Sequence, residues 1–213
     1  MASHLNISDK LNKIKHQKLA ALLASVFAYI FITPLFDNTF IFLINIALVA
    51  LILSTAAIVL GKKKKIFLLF IGIVIAIEII TSYTAHYQLN IATRAVTLVF
   101  YFYIVVRLIE EILKREGVTL GTILEAINGY LLLGIAFSAM IGMLHDLMPE
   151  AYNISYANND TLYFAFVTMT TLGYGDILPT LPISKSLTLI IAISGQFYVG
   201  VIVAILVGKY ASQ

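Results

Sequence analysis

The sequence predicts an all-α integral membrane protein, with six helices that cross the bilayer and a short re-entrant helix and loop between the fifth and the sixth. Three observations predict it. Of 213 residues, 61% are hydrophobic and 12% are charged. Ordinary soluble domains carry roughly 25% charged residues, and a soluble domain of this length lacks the polar surface to cover so much hydrocarbon. Six apolar runs each approach or reach the roughly 20 residues that a helix needs to span the hydrocarbon core. The basic residues, finally, gather on one side of those runs. The same numbers exclude a disordered or collagenous chain, with 12 Gly and 4 Pro, and the absence of Cys excludes disulfide scaffolds, thiolate metal sites and cysteine nucleophiles. Lys and Arg form no stripe with interleaved aromatics, so nucleic acid is not an expected partner.

The runs cover 19–36, 40–60, 66–83, 94–113, 123–147 and 185–208, and Pro34, Gly61 and Pro149 punctuate run ends. The first follows Lys10, Lys13, Lys15 and Lys18 as in a signal peptide. Its apolar stretch is too long for one, lacks a small-x-small cleavage site and precedes further runs, so it reads as a retained helix. With the N-terminus in the cytoplasm, 12 of the 14 basic residues fall at the inner face: those four, Lys62, Lys63, Lys64, Lys65, Arg107, Lys114, Arg115 and Lys209. Arg94 and Lys185 alone fall outside. The excess of inner charge predicts a multi-pass protein of the cell membrane with both termini cytoplasmic.

Residues 146–184 are then external. Within them 162–169 (LYFAFVTM) is apolar but about half the length needed to cross, between Asp160 and a glycine-containing turn. Irregular backbone at membrane depth is tolerated only where protein or water surrounds it, which predicts a cavity or pore here. The stretch that follows reads Thr168-Met169-Thr170-Thr171-Leu172-Gly173-Tyr174-Gly175-Asp176. It resembles the selectivity filter of the tetrameric potassium channels, usually T-V-G-Y-G-D. An isolated Gly-Tyr turn would read the same, but this one stands behind a half-length helix, between two runs, on the external side. The resemblance implies a homotetramer in which main-chain carbonyls of Thr171, Leu172, Gly173 and Tyr174, with the Thr171 hydroxyl, hold K+ as permeant ligand. Carbonyls can share one axis only if alternate residues adopt unusual torsions, which Gly173 and Gly175 permit. No other cofactor is expected.

The resemblance extends through Ala165, Val167, Thr168, Met169, Thr170 and Thr171, the end of a voltage-gated-type pore helix for which Asn159 or Asp160 is the expected N-cap. Its C-terminal end directs partial negative charge at the cavity. Leu172 replaces the common Val, and Tyr163 and Phe164 stand where the family carries a Trp pair whose indole N–H groups brace the filter. Tyr163 can reach Asp176 through its hydroxyl, whereas Phe164 has no donor, so a weakly braced, inactivation-prone filter is expected. Gly195 lies nineteen residues beyond Asp176, the family's spacing for an inner-helix hinge, with a packing glycine as the alternative. Helical periodicity then groups Gln196, Val199, Val203 and Val207 as cavity lining and apolar gate. The alternative has Gln196 bonded to a neighbouring helix and the valines facing lipid. In the full reading, 1–18 is a cytoplasmic segment, 19–113 a voltage-sensor-like four-helix domain, 114–122 a linker helix, 123–208 the pore domain and 209–213 a cytoplasmic tail. With so short a tail, the family's ligand-binding C-terminal domains are not expected.

A voltage sensor needs several charges moving through the field. The fourth run holds only Arg94 and Arg107, thirteen residues apart, so strong voltage gating is not expected. Glu78, about 7 Å below the outer end of its run, is expected to pair with Arg94, an ion or ligand site being the alternative. Glu110–Lys114 and Glu111–Arg115 are i,i+4 pairs in the favourable order. Lys62 to Lys65 suit anionic headgroups of the lipid bilayer. His86 and His145 are isolated, and the sequons at Asn153 and Asn159 are set aside because the second falls at the pore-helix cap. No G-x-S-x-G, H-E-x-x-H or phosphate loop is present, so no enzyme is expected. A non-selective cation channel of the same architecture, or a non-conducting scaffold or sensor subunit, are the competing readings.

Overall fold

The computed structural model describes residues 2–32, 87–154 and 158–212, with isolated positions between 35 and 76. Five α-helices lie in that part: α1 (Ala2–Ile32), α2 (Tyr87–Lys114), α3 (Leu120–Leu147), α4 (Asn158–Met169) and α5 (Pro182–Ala211), with a 3₁₀ turn over Pro149–Ala151. The runs expected at 40–60 and 66–83 fall outside the described residues apart from scattered positions, and Glu78 with them.

Local chemistry sets the helix ends. Thr119 has extended backbone and caps α3, its hydroxyl accepting from the Thr122 N–H at 3.3 Å while the Thr122 hydroxyl accepts from the Thr119 N–H at 3.2 Å. Pro182 opens α5 at a position where a missing N–H costs nothing, and the Ser184 hydroxyl accepts from the Leu181 N–H at 3.1 Å. The linker helix expected over 114–122 does not form. Residues 115–119 are non-helical, because Gly117 disfavours helix and the last carbonyls of α2 are already taken. Lys209, from the end of α5, donates to Ile112 O and Leu113 O at 2.9 Å each, and also to Arg115 O. An ammonium there satisfies orphan carbonyls and complements the helix dipole.

α3 is the centre of the packing, touching α1, α2, α4 and α5. Its Leu132, Ile135 and Ile141 are fully enclosed, as are Leu19 and Leu22 of α1, Ile104 and Leu108 of α2, and Ile191 of α5. Near the start of α3 this core holds a buried carboxylate. Glu125 accepts from Arg115 Nε at 2.9 Å and Nη2 at 2.8 Å, with Lys15 Nζ 3.2 Å away. Lys15 also bonds Glu111 at 2.8 Å. The expected Glu111–Arg115 pair is thus replaced: an unpaired buried charge is far more costly than an unpaired surface one, so Arg115 turns inward. Glu110–Lys114 does form, at 3.4 Å. Arg107 bonds Glu110 within its own helix, and Arg94 is ion-paired with Asp146 of α3.

Among the described residues, α3 and α5 are long and apolar enough to cross a membrane. The most apolar stretch of α3 is 56% buried by its own chain, that of α5 only 17%. The last helix therefore presents most of its hydrocarbon outward.

Candidate functional site

The site begins where α4 stops. Its 12 residues rise about 18 Å, little more than half the hydrocarbon thickness. It starts at Asn158, so Asn159 and Asp160, expected as caps, lie inside its first turn. At the other end, Leu172 N–H donates to Val167 O at 2.9 Å and Thr171 N–H to Thr168 O at 3.0 Å. This 6→1 and 5→2 pair is a Schellman cap, which places its C′ residue in the left-handed region. That residue is Thr171, at φ 61°. Glycine is the usual occupant, and a β-branched residue there is an outlier.

The left-handed torsion then recurs at every second residue, with φ 53° at Gly173 and 81° at Gly175. Leu172 and Tyr174 between them keep negative φ. A Cβ built on either glycine would meet nothing within 4 Å in the single chain, so these positions require glycine for torsion, not for space. Residues 171–176 are all exposed, Leu172 at 56% and Tyr174 at 69%. The two large side chains of this loop, Leu172 and Tyr174, thus stand mostly uncovered in the single chain.

Two side chains hold the far end of the loop, at Asp176. The Tyr163 hydroxyl donates to the Asp176 carboxylate. That bond, with smaller contributions from desolvation and neighbouring charge, pushes the phenol up to about 12, and it holds Asp176 below its ordinary value. On the other side, Asn153 Nδ2 donates to Asp176 O at 3.2 Å and Asn153 Oδ1 accepts from Leu178 N–H at 2.5 Å. The backbone pairing of this segment reinforces the hold, with Asn153 N–H to Leu178 O at 3.2 Å and Thr180 N–H to Ala151 O at 3.0 Å. Phe164 is buried, its ring edge-on to Tyr152 at 5.3 Å between centroids. Asp160, near the same mouth, is held above its ordinary value by burial and by the Asp176 charge.

Gly195 is buried where α5 crosses the end of α4. A Cβ there would lie 2.4 Å from Met169 O and 2.5 Å from Met169 Cγ, so glycine is what allows the two elements to meet. On the same side of α5, Ser184, Leu187, Ile191, Tyr198 and Ile202 are buried. Gln196, Val199, Val203 and Val207 are all exposed in the single chain. Of the predicted site residues, the structure brings Tyr163, Asp176 and residues 171–175 together, and it brings Arg94 to Asp146. Sequence reasoning passed over Asn153, which carried no signal but its sequon, and the left-handed Thr171, for which threonine is itself an unfavourable choice.

Residues 150–211, from the 3₁₀ turn to the end of α5, match the family described as "Ion channel". No curated protein and no solved structure matches the chain. The half-length helix, the exposed loop and the outward-facing apolar helix all lie within the residues that are similar to an ion-channel pore domain. The family that these residues match is not an enzyme family.

Proposed function

We propose that four copies of this chain form a potassium-selective channel, each copy supplying Thr171 to Gly175 to one shared filter through which K+ moves down its gradient. The observation that carries the reading is the left-handed backbone at Thr171, Gly173 and Gly175. In an extended strand successive carbonyls point to opposite sides. Reversing φ at every second residue turns every second peptide plane, so that the oxygens of 171–174 can face one axis. Bringing a bare cation into hydrocarbon costs tens of kcal/mol, and such a row of dipoles replaces the lost water. One loop surrounds nothing, so closed symmetry is the simplest completion. The exposure of the loop and of α5 supports this, because both are surfaces for neighbouring copies and lipid. Behind the filter, Gln196 would line the cavity, with Val203 and Val207 forming an apolar constriction and Gly195 acting as hinge.

Strong voltage gating is not part of the reading, since Arg107 bonds within its own helix and Arg94 to α3. The test is flux in liposomes containing only this chain. The reversal potential should follow the K+ gradient when Na+ replaces K+ on one side, and Gly175→Ala should abolish current, since Ala disfavours φ 81°. A reversal potential indifferent to the exchange would make the pore a non-selective cation channel. No flux at all would make the chain a scaffold.

A further inference from the structure

We infer that Asn153 is the second brace of the outer mouth, supplying from the loop before α4 the hydrogen-bond donor that Phe164 lacks. The inference rests on the reading of 171–175 as the ion path. That path takes left-handed torsions at Thr171, Gly173 and Gly175, and such torsions at a residue like Thr171 persist only where the surroundings over-determine them. Its inner end is fixed by the bonds from Leu172 and Gly173 to Val167 O, at 2.9 and 3.3 Å. Its outer end is fixed at Asp176, and there the hold is two-sided. Tyr163 takes the carboxylate and Asn153 takes the main-chain carbonyl. The same Asn153 amide accepts from Leu178 N–H, so one planar group spans residues 176–178 with its donor and its acceptor both in use. Neither Asp nor Ser can do this: Asp has no donor and would set a second negative charge beside Asp176, and Ser is too short. Phe164, packed on Tyr152, offers the loop no polar group.

The experiment compares the full-length wild type with Asn153→Ala and Asn153→Asp in planar bilayers, at low and high external K+. Current decay in Asn153→Ala should be about tenfold faster at low K+, the ratio set by roughly one net hydrogen bond. High K+ should slow it back towards wild type, because an ion held in the filter does the work of the brace, while single-channel conductance stays unchanged. A merely structural role would lower the amount of assembled channel and leave decay and its K+ dependence untouched. Asn153→Asp, which keeps the acceptor and loses the donor, should decay faster in the same way and reports on the contact if Asn153→Ala does not assemble. Decay equal to wild type in the variants overturns the inference while leaving the channel reading intact. Absence of K+ current in the wild type overturns the channel reading and the inference with it.

Discussion

Thr171 occupies, at φ 61°, a helix-ending position where glycine costs nothing and a β-branched side chain costs on the order of 1–2 kcal/mol. The cost is intelligible if the hydroxyl is needed on the ion path, and it shows why the residue's conformation was illegible. Sequence rules would place glycine there, whereas Gly173 and Gly175 announced themselves. Asp176 shows the complementary case, a contact anticipated from side-chain chemistry, since Tyr163 was expected to reach it and does. The sign of its pH dependence follows from the two shifts. The raised Tyr163 contributes stability that is full below its ordinary value near 10 and is lost as pH rises through about 12. The lowered Asp176 contributes stability present above its ordinary 3.8 and lost as pH falls through its depressed value. Current decay should therefore be flat between about pH 5 and 9. Tyr163→Phe should decay faster across that whole interval, with recordings at stepped external pH as the measurement. A wild-type decay rate that changes steeply near neutrality would contradict the assignment.

Elements were legible to the extent that they are set by runs of apolar residues. The shortness of α4, 12 residues long, could be counted. The extents of α3 and α5 agree with the expected fifth and sixth runs to within three residues at each end, whereas α1 and α2 begin 17 and 7 residues before the expected first and fourth runs. What could not be counted was the junction between α2 and α3. The local pattern offered Arg115 a partner four residues back at Glu111, and local patterns favour continued helix. The tertiary fold offers a buried carboxylate instead, with Glu125 wholly enclosed, and burial decides between the two. Arg115→Ala would leave that carboxylate with Lys15 alone, and the loss should be on the order of 3 kcal/mol. Thermal unfolding of the detergent-solubilised protein checks it. The double variant Arg115→Ala, Glu125→Gln should recover much of the loss, because it removes the stranded charge rather than one half of a pair.

At the scale of the whole molecule, the described chain is a core around α3 with one flank uncovered. Leu189, Ile193, Phe197 and Val201 of α5 are each more than half exposed, and Tyr174 at the loop is 69% exposed. Placement of the first four runs as a separate domain was an expectation from resemblance, and the ion-channel match reaches only 150–211. The likeness to an ion channel was readable in the sequence because the peptide that carries the resemblance is short and contiguous. What covers the exposed faces was not, since no residue in one chain records how those faces are met. That uncovered flank makes stability a matter of mass action: if neighbouring copies bind the folded chain and not the unfolded one, they raise its melting temperature. Raising the detergent-to-protein ratio, which dilutes the protein within the micelles, should then lower the unfolding temperature progressively, and the curve should level off where subunits separate. The free energy that keeps the loop folded would belong to the population of chains in the bilayer, not to any one of them.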